Sequence, residues 1–153
     1  MADITKMNPG HEAEFTHSSP FGNGSAIRMN LSTSAGVLDG GDSQDAIAIG
    51  DVVVLGTLQK GFRIDTVTTI IVAAGLGAID VGFRYADGVD DTDVPEDDDY
   101  FEAALDSTAT GRNVSDANIV KLPKEALLIV TFAAAQTGAL ELDVLLNGVM
   151  QGE

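Results

Sequence analysis

The stretch AIDVGFRYAD, residues 78 to 87, puts Ile79, Val81, Phe83 and Tyr85 at every second position, with Asp80, Gly82, Arg84 and Ala86 between them. A two-residue apolar period cannot line one side of a helix, but it does line one face of a β-strand. The period recurs in AIRMNLS, where Ile27, Met29 and Leu31 alternate with Arg28, Asn30 and Ser32. GFRIDTVTTIIVAA (61–74) is dense in β-branched residues and long enough for one long strand or two short ones. AIAIGDVVVLGTL (46–58) gives two short apolar runs broken at Gly50-Asp51. NIVKLP, ALLIVTFAAA and ALELDVLLNGV come late in the chain, the last two separated by QTG, which reads as a hairpin turn. About eight short strands with regularly placed turn residues predict an all-β chain folded as a two-sheet antiparallel β-sandwich.

With 153 residues, the chain suits one domain with a real core. Trp is absent and aromatic residues make up 5%, so Val, Ile, Leu and Ala must fill that core. A net charge of −16 repels phosphate, so neither nucleic acid nor an anionic membrane is an expected partner. The lack of Cys removes disulfides, thiol nucleophiles and Cys-based zinc sites. MADITKMNPG lacks the apolar region of a signal peptide, and ALLIVTFAAA (126–135) is short of the ~20 residues that span a bilayer. The expectation is a soluble protein made in a cytoplasm, its three N-x-S sequons at Asn23, Asn30 and Asn113 arising by chance.

Residues 1–24 keep no period and contain Pro9, Pro20 and several glycines. They read as an extended N-terminal arm, with the sandwich domain over 25–153. Its spaced apolar side chains, Ile4, Met7, Phe15 and Phe21, are candidate anchors on a partner.

The segment YADGVDDTDVPEDDDYFEAALD, residues 85–106, holds ten carboxylates and no Lys or Arg. A calcium loop starting at Asp91 would place Asp93 and Glu102 correctly, but Pro95 and Glu96 fall where a ligand and the turn glycine belong. That leaves Asp87, Asp90, Asp91 and Asp93 as a looser oxygen-ligand set. A catalytic carboxylate pair would need apolar walls, and only Tyr85, Tyr100 and Phe101 stand near. The better reading is a solvated crossover with one short helix near 96–106. Pro95, Glu96 and Asp97 suit a helix start, Asp99 and Glu102 have capping spacing, and Tyr100/Ala104 with Phe101/Leu105 form an apolar stripe.

No other motif assembles a site. AAGLGAID supplies Gly75 and Gly77 but has Asp80 where a third dinucleotide-loop glycine belongs, so it reads as a turn between strands. FGNGS and DGGDS lack the Lys of a phosphate loop, and His11 and His17 sit in the arm without the setting of a nucleophile or metal site. The residues point to no enzyme and no cofactor.

MNPGHEAEFTHSSPFGNGSAIRMNLST, AIGDVVVLGTLQKGFRIDTV, AIDVGFRYADGVDD, DDDYFEAAL and VKLPKEALLIVTF, followed by LELDVLLNGV, together resemble the capsid decoration (cement) proteins of tailed bacteriophages. The resemblance covers nearly the whole chain and rests on the order of segments rather than on one motif. It implies a jelly-roll-like sandwich and a non-enzymatic virion protein on the capsid exterior, bound to the major capsid protein and to copies of itself as a dimer or trimer. Other virion parts, such as a head fibre or tail protein, and a soluble carbohydrate- or calcium-binding module are the competing readings. Scarce aromatic residues disfavour sugar stacking.

Overall fold

A computed structural model describes residues 2–5 and 24–151. Strand alternation is realised in eleven strands: β1 (Asp3–Thr5), β2 (Gly24–Ser34), β3 (Val37–Leu38), β4 (Val52–Leu58), β5 (Phe62–Ala73), β6 (Ala78–Tyr85), β7 (Asp97–Asp106), β8 (Gly111–Val114), β9 (Val120–Lys121), β10 (Ala126–Phe132) and β11 (Glu141–Met150). Sheet one runs β1-β4-β10-β6-β7, and sheet two runs β3-β2-β11-β5-β8 with β9 also paired to β5. Taking β2, β4, β5, β6, β7, β8, β10 and β11 as strands one to eight, the sheets read 1-8-3-6 and 2-7-4-5. That is the jelly-roll order, in which the chain keeps crossing between sheets.

The two-residue period decides what lies inside. Ile79, Val81, Phe83 and Tyr85 of β6 face Ile27, Met29 and Leu31 of β2 and Leu142, Val144 and Leu146 of β11 across one continuous core. Phe62, Phe83 and Phe132 are its largest fully buried side chains. β5 is one long strand with a bulge opposite Asn147/Gly148, which lets Phe62 and Ile64 point inward along with Val67 and Ile71.

Three sequence readings need correction. Residues 97–106 form strand β7, and no helix occurs among the described residues. β6 would otherwise end the sheet with an open row of backbone groups, and covering that edge outweighs the local preference for a helix start. Tyr100 and Phe101 do not share stripes with Ala104 and Leu105. Instead their rings converge on Phe83, with centroids 5.4 and 6.0 Å away. The QTG segment does not close a hairpin, because β10 belongs to sheet one and β11 to sheet two. Turn chemistry shows where a strand ends but not which sheet the next one enters. Finally, Ile4 is not a free anchor. β1 pairs in parallel with β4, Ile4 beside Val53, and its side chain is 3% exposed within the chain's own core.

Candidate interaction surfaces

The strand pairings divide the surface into two loop-bearing ends and two outward sheet faces. At one end lie the β6–β7, β4–β5 and β9–β10 loops, and the acidic segment dominates it. Several of its carboxylates accept from nearby backbone N–H groups. The Asp87 carboxylate accepts from the Val89 N–H and from Lys124 Nζ. Asp90 accepts from the Asp91 and Glu96 N–H groups, and Asp91 from those of Asp93 and Val94. These local bonds let a loop rich in like charges hold one path, because each N–H satisfied by a carboxylate spreads negative charge into the peptide. Lys124 spans the loop base, donating also to the Val89 carbonyl at 2.5 Å and lying 4.7 Å over the Tyr85 ring. The Val89 bond, ahead of Lys124, holds the Asp87 carboxyl below its ordinary range.

Of the oxygen-ligand set, Asp87, Asp90 and Asp91 therefore serve as acceptors within the loop, and the Asp93 N–H is a donor to Asp91. Among the described residues no group of three or more His, Asp or Glu side chains is placed to hold a metal ion.

β7 carries the acids up the edge of sheet one. Its register against β6 is irregular: Asp97 lies opposite Phe83 and Glu102 opposite Val81, so five steps on β7 span two on β6. The backbone of Asp97 and Asp98 thereby comes to lie where a Cβ on Gly82 would stand. Asp98 takes a two-point contact from Arg84, at 2.7 Å to Nε and 2.6 Å to Nη2. The same guanidinium reaches Asp3 of β1 at 3.7 Å, so the outward face of sheet one is tied from one edge strand to the other by a single arginine. Further along β7, Asp80 accepts from the N–H of Ala104, which holds φ at 52°. Sharing a hydrogen bond with Asp97 raises the Asp99 carboxyl, whereas burial, then the charge of Asp116, raises Glu102.

The opposite end is knitted rather than charged. Gln136, 1% exposed, donates from Nε2 to the Leu76 and Ala134 carbonyls and accepts the Leu76 N–H on Oε1. Its backbone N–H donates to the Ile47 carbonyl, so one buried residue joins the β5–β6, β10–β11 and β3–β4 loops. Gly75 and Gly77 form the turn from β5 to β6, and Gly77 holds φ at 71°. Ile49 and Leu76 protrude from this end, 69% and 44% exposed.

Sheet two presents a different outward face. Two neighbouring rows cross it, Arg28–Leu145–Thr68–Val114 and Asn30–Asp143–Ile70–Arg112. Asp143 is 4% exposed beneath Arg28, whose Nη2 donates to it at 2.5 Å, and Asn30 Nδ2 donates from the side. Arg63 and Asp65 form a second pair at 2.7 Å. Sequence reading missed this face altogether, because its composition emerges only when four distant strands are aligned. Met7, Phe15 and Phe21, with His11 and His17, lie outside the described residues.

No protein-family model matches this chain, and no curated protein matches its sequence. Its fold is similar to chains in three solved phage structures. A chain in the capsid of Ralstonia phage GP4 aligns at TM-score 0.56 and 16% identity, over 85% of this chain and 86% of that one. A chain in the cyanophage Pam1 capsid asymmetric unit aligns at 0.55 and 12%, over 88% and 91%. One in the acidic stable capsid structure of Helicobacter pylori bacteriophage KHP30 aligns at 0.51 and 15%, over 82% and 89%. At these identities the likeness is one of fold, and this chain is a jelly-roll sandwich of the kind found in those capsids.

Proposed function

We propose that this chain is a non-enzymatic coat protein of a phage head, seated on the outside of the shell, where it stabilises contacts between major capsid protein subunits. The observation that carries this reading is the jelly roll shared, over more than four-fifths of the chain, with chains of three phage capsid structures. The charge distribution fits an outward position: the acidic loop and β7 would face solvent and keep a densely repeated coat soluble. Attachment would draw on the sandwich surfaces and on residues 6–23, whose Met7, Phe15 and Phe21 can each bury in a pocket on a neighbour for ~1.5–3 kcal/mol. Ile4 drops out of that set, since its side chain is used at home.

Heads assembled from the major capsid protein, imaged by electron cryo-microscopy with and without this chain, test the reading. Regularly placed extra density on the outer surface is the expected result. Density inside the shell, at the tail, or nowhere would overturn it.

A further inference from the structure

We propose that the outward face of sheet two is where two copies of this chain meet. The chain as a whole carries 24 acids against 8 bases, but this face does not share that excess. Arg28, Arg63, Arg112 and Lys121 stand on it against Asp65, Glu141 and Asp143. Two of its acids are already matched in place, Asp143 by Arg28 and Asp65 by Arg63. Approach through the outward face of sheet one would bring Asp3, Asp80, Asp98 and the acidic loop of one copy against the same groups of another. Like-charge contact of that kind costs several kcal/mol and selects against the arrangement. Face-to-face contact through sheet two avoids most of that penalty, because the charges of this face nearly balance.

It also has apolar surface to lose. Val72 and Val114 are 47% and 60% exposed, and Ile70, Leu145 and Val149 are half-buried. Val114 lies in the same cross-strand row as Leu145, and Ile70 in the row beside it, so these side chains form a patch rather than isolated points. At about 4.8 Å between strands and about 3.4 Å per residue, four strands offer a face of roughly 20 by 30 Å. That approaches the ~800 Å² per partner of a standard interface, so a second copy would cover nearly all of it.

The inference borrows its setting from the coat-protein reading, but its test needs no capsid, so the two can fail separately. The full chain, 15.8 kDa, is run by sedimentation equilibrium alongside Val72→Asp, Val114→Asp and a control, Val89→Asp, on the acidic loop. All three positions are exposed, and unchanged circular dichroism verifies that each variant folds. The wild type is expected to be a dimer, with the dissociation constant raised about tenfold or more by either sheet-two aspartate and unchanged by the control. A monomeric wild type, a trimer or larger assembly, or a dimer indifferent to Val72→Asp and Val114→Asp would each overturn the proposal.

Discussion

Gly82→Ala probes the irregular pairing that turns an acidic segment into an edge strand. Gly82 sits on β6 between the inward-facing Val81 and Phe83, so its missing side chain would point outward, toward the start of β7. A Cβ there would stand 2.5 Å from the Asp98 carbonyl oxygen, and closer still to the Asp97 carbonyl. Neighbours made of backbone cannot rotate away, so β7 would have to move as a whole, well beyond the few tenths of an ångström that a soft contact needs. Overpacking of this sort costs ~1–3 kcal/mol. Against that, removing a glycine from the unfolded chain returns ~0.4–1 kcal/mol. The net loss of ~1–2 kcal/mol should lower the thermal midpoint by about 2–8 °C for a domain of this size. Gly138→Ala is the control, since nothing stands within 4 Å of its Cβ position. Thermal melts of the two variants, with hydrogen exchange over residues 97–102, make the assay. A Gly82→Ala midpoint equal to or above that of Gly138→Ala would refute the reasoning.

Four other outcomes are expected. Gln136→Ala strips three hydrogen bonds from a buried position and should cost ~2–4 kcal/mol in denaturant melts, with the Leu76 turn losing exchange protection. Millimolar calcium should leave the thermal midpoint unmoved, because Asp87, Asp90 and Asp91 already serve backbone donors; a site filled at a hundred times its dissociation constant would add ~2.7 kcal/mol. Burial, then the charges of Asp91 and Asp90, pushes the Tyr85 phenol up to about 12. The folded state thus keeps a proton that an unfolded phenol releases near ~10, so this contribution is intact below that pH and lost as pH climbs through the folded value; Tyr85→Phe should flatten the alkaline melting series. Glu102 has the same direction of shift, so its contribution is intact below the ordinary carboxylate range and is lost as pH rises through its raised value. Glu102→Gln should therefore remove that part of the pH dependence from a series of thermal melts.

The strands that the sequence revealed are those whose inward residues alternate without interruption, as along β6 and the middle of β2. β7 escaped because only Phe101 is deeply buried in it, and the acids on either side imitate a dipole-matched helix start. β1 escaped for want of length: three residues with one buried side chain have no period to detect. The neutral face of sheet two is written in Arg28, Arg112, Asp143 and Val114, residues up to 115 positions apart, and no local pattern joins them. Arg84 offered a usable clue, being the one base between Arg63 and Arg112, flanked by the densest run of acids in the chain.

β11, the last of the described strands, lies in the middle of sheet two, bonded to β2 on one side and β5 on the other. During synthesis the ribosome therefore releases β2 more than a hundred residues before its long partner exists, leaving it the two-residue β3 among the described strands. Until Glu141 and its successors emerge, Ile27, Met29, Leu31, Ile64 and Val67 have half a sandwich and no seam to close it. Such far-apart pairing makes folding slow and leaves sticky strands waiting. The aspartates of the β6–β7 segment are made during that wait, and their mutual repulsion helps keep crowded nascent chains from joining edge to edge. A product that stops short of β11 should accumulate as chaperone-bound or aggregated chain, never as a smaller folded domain.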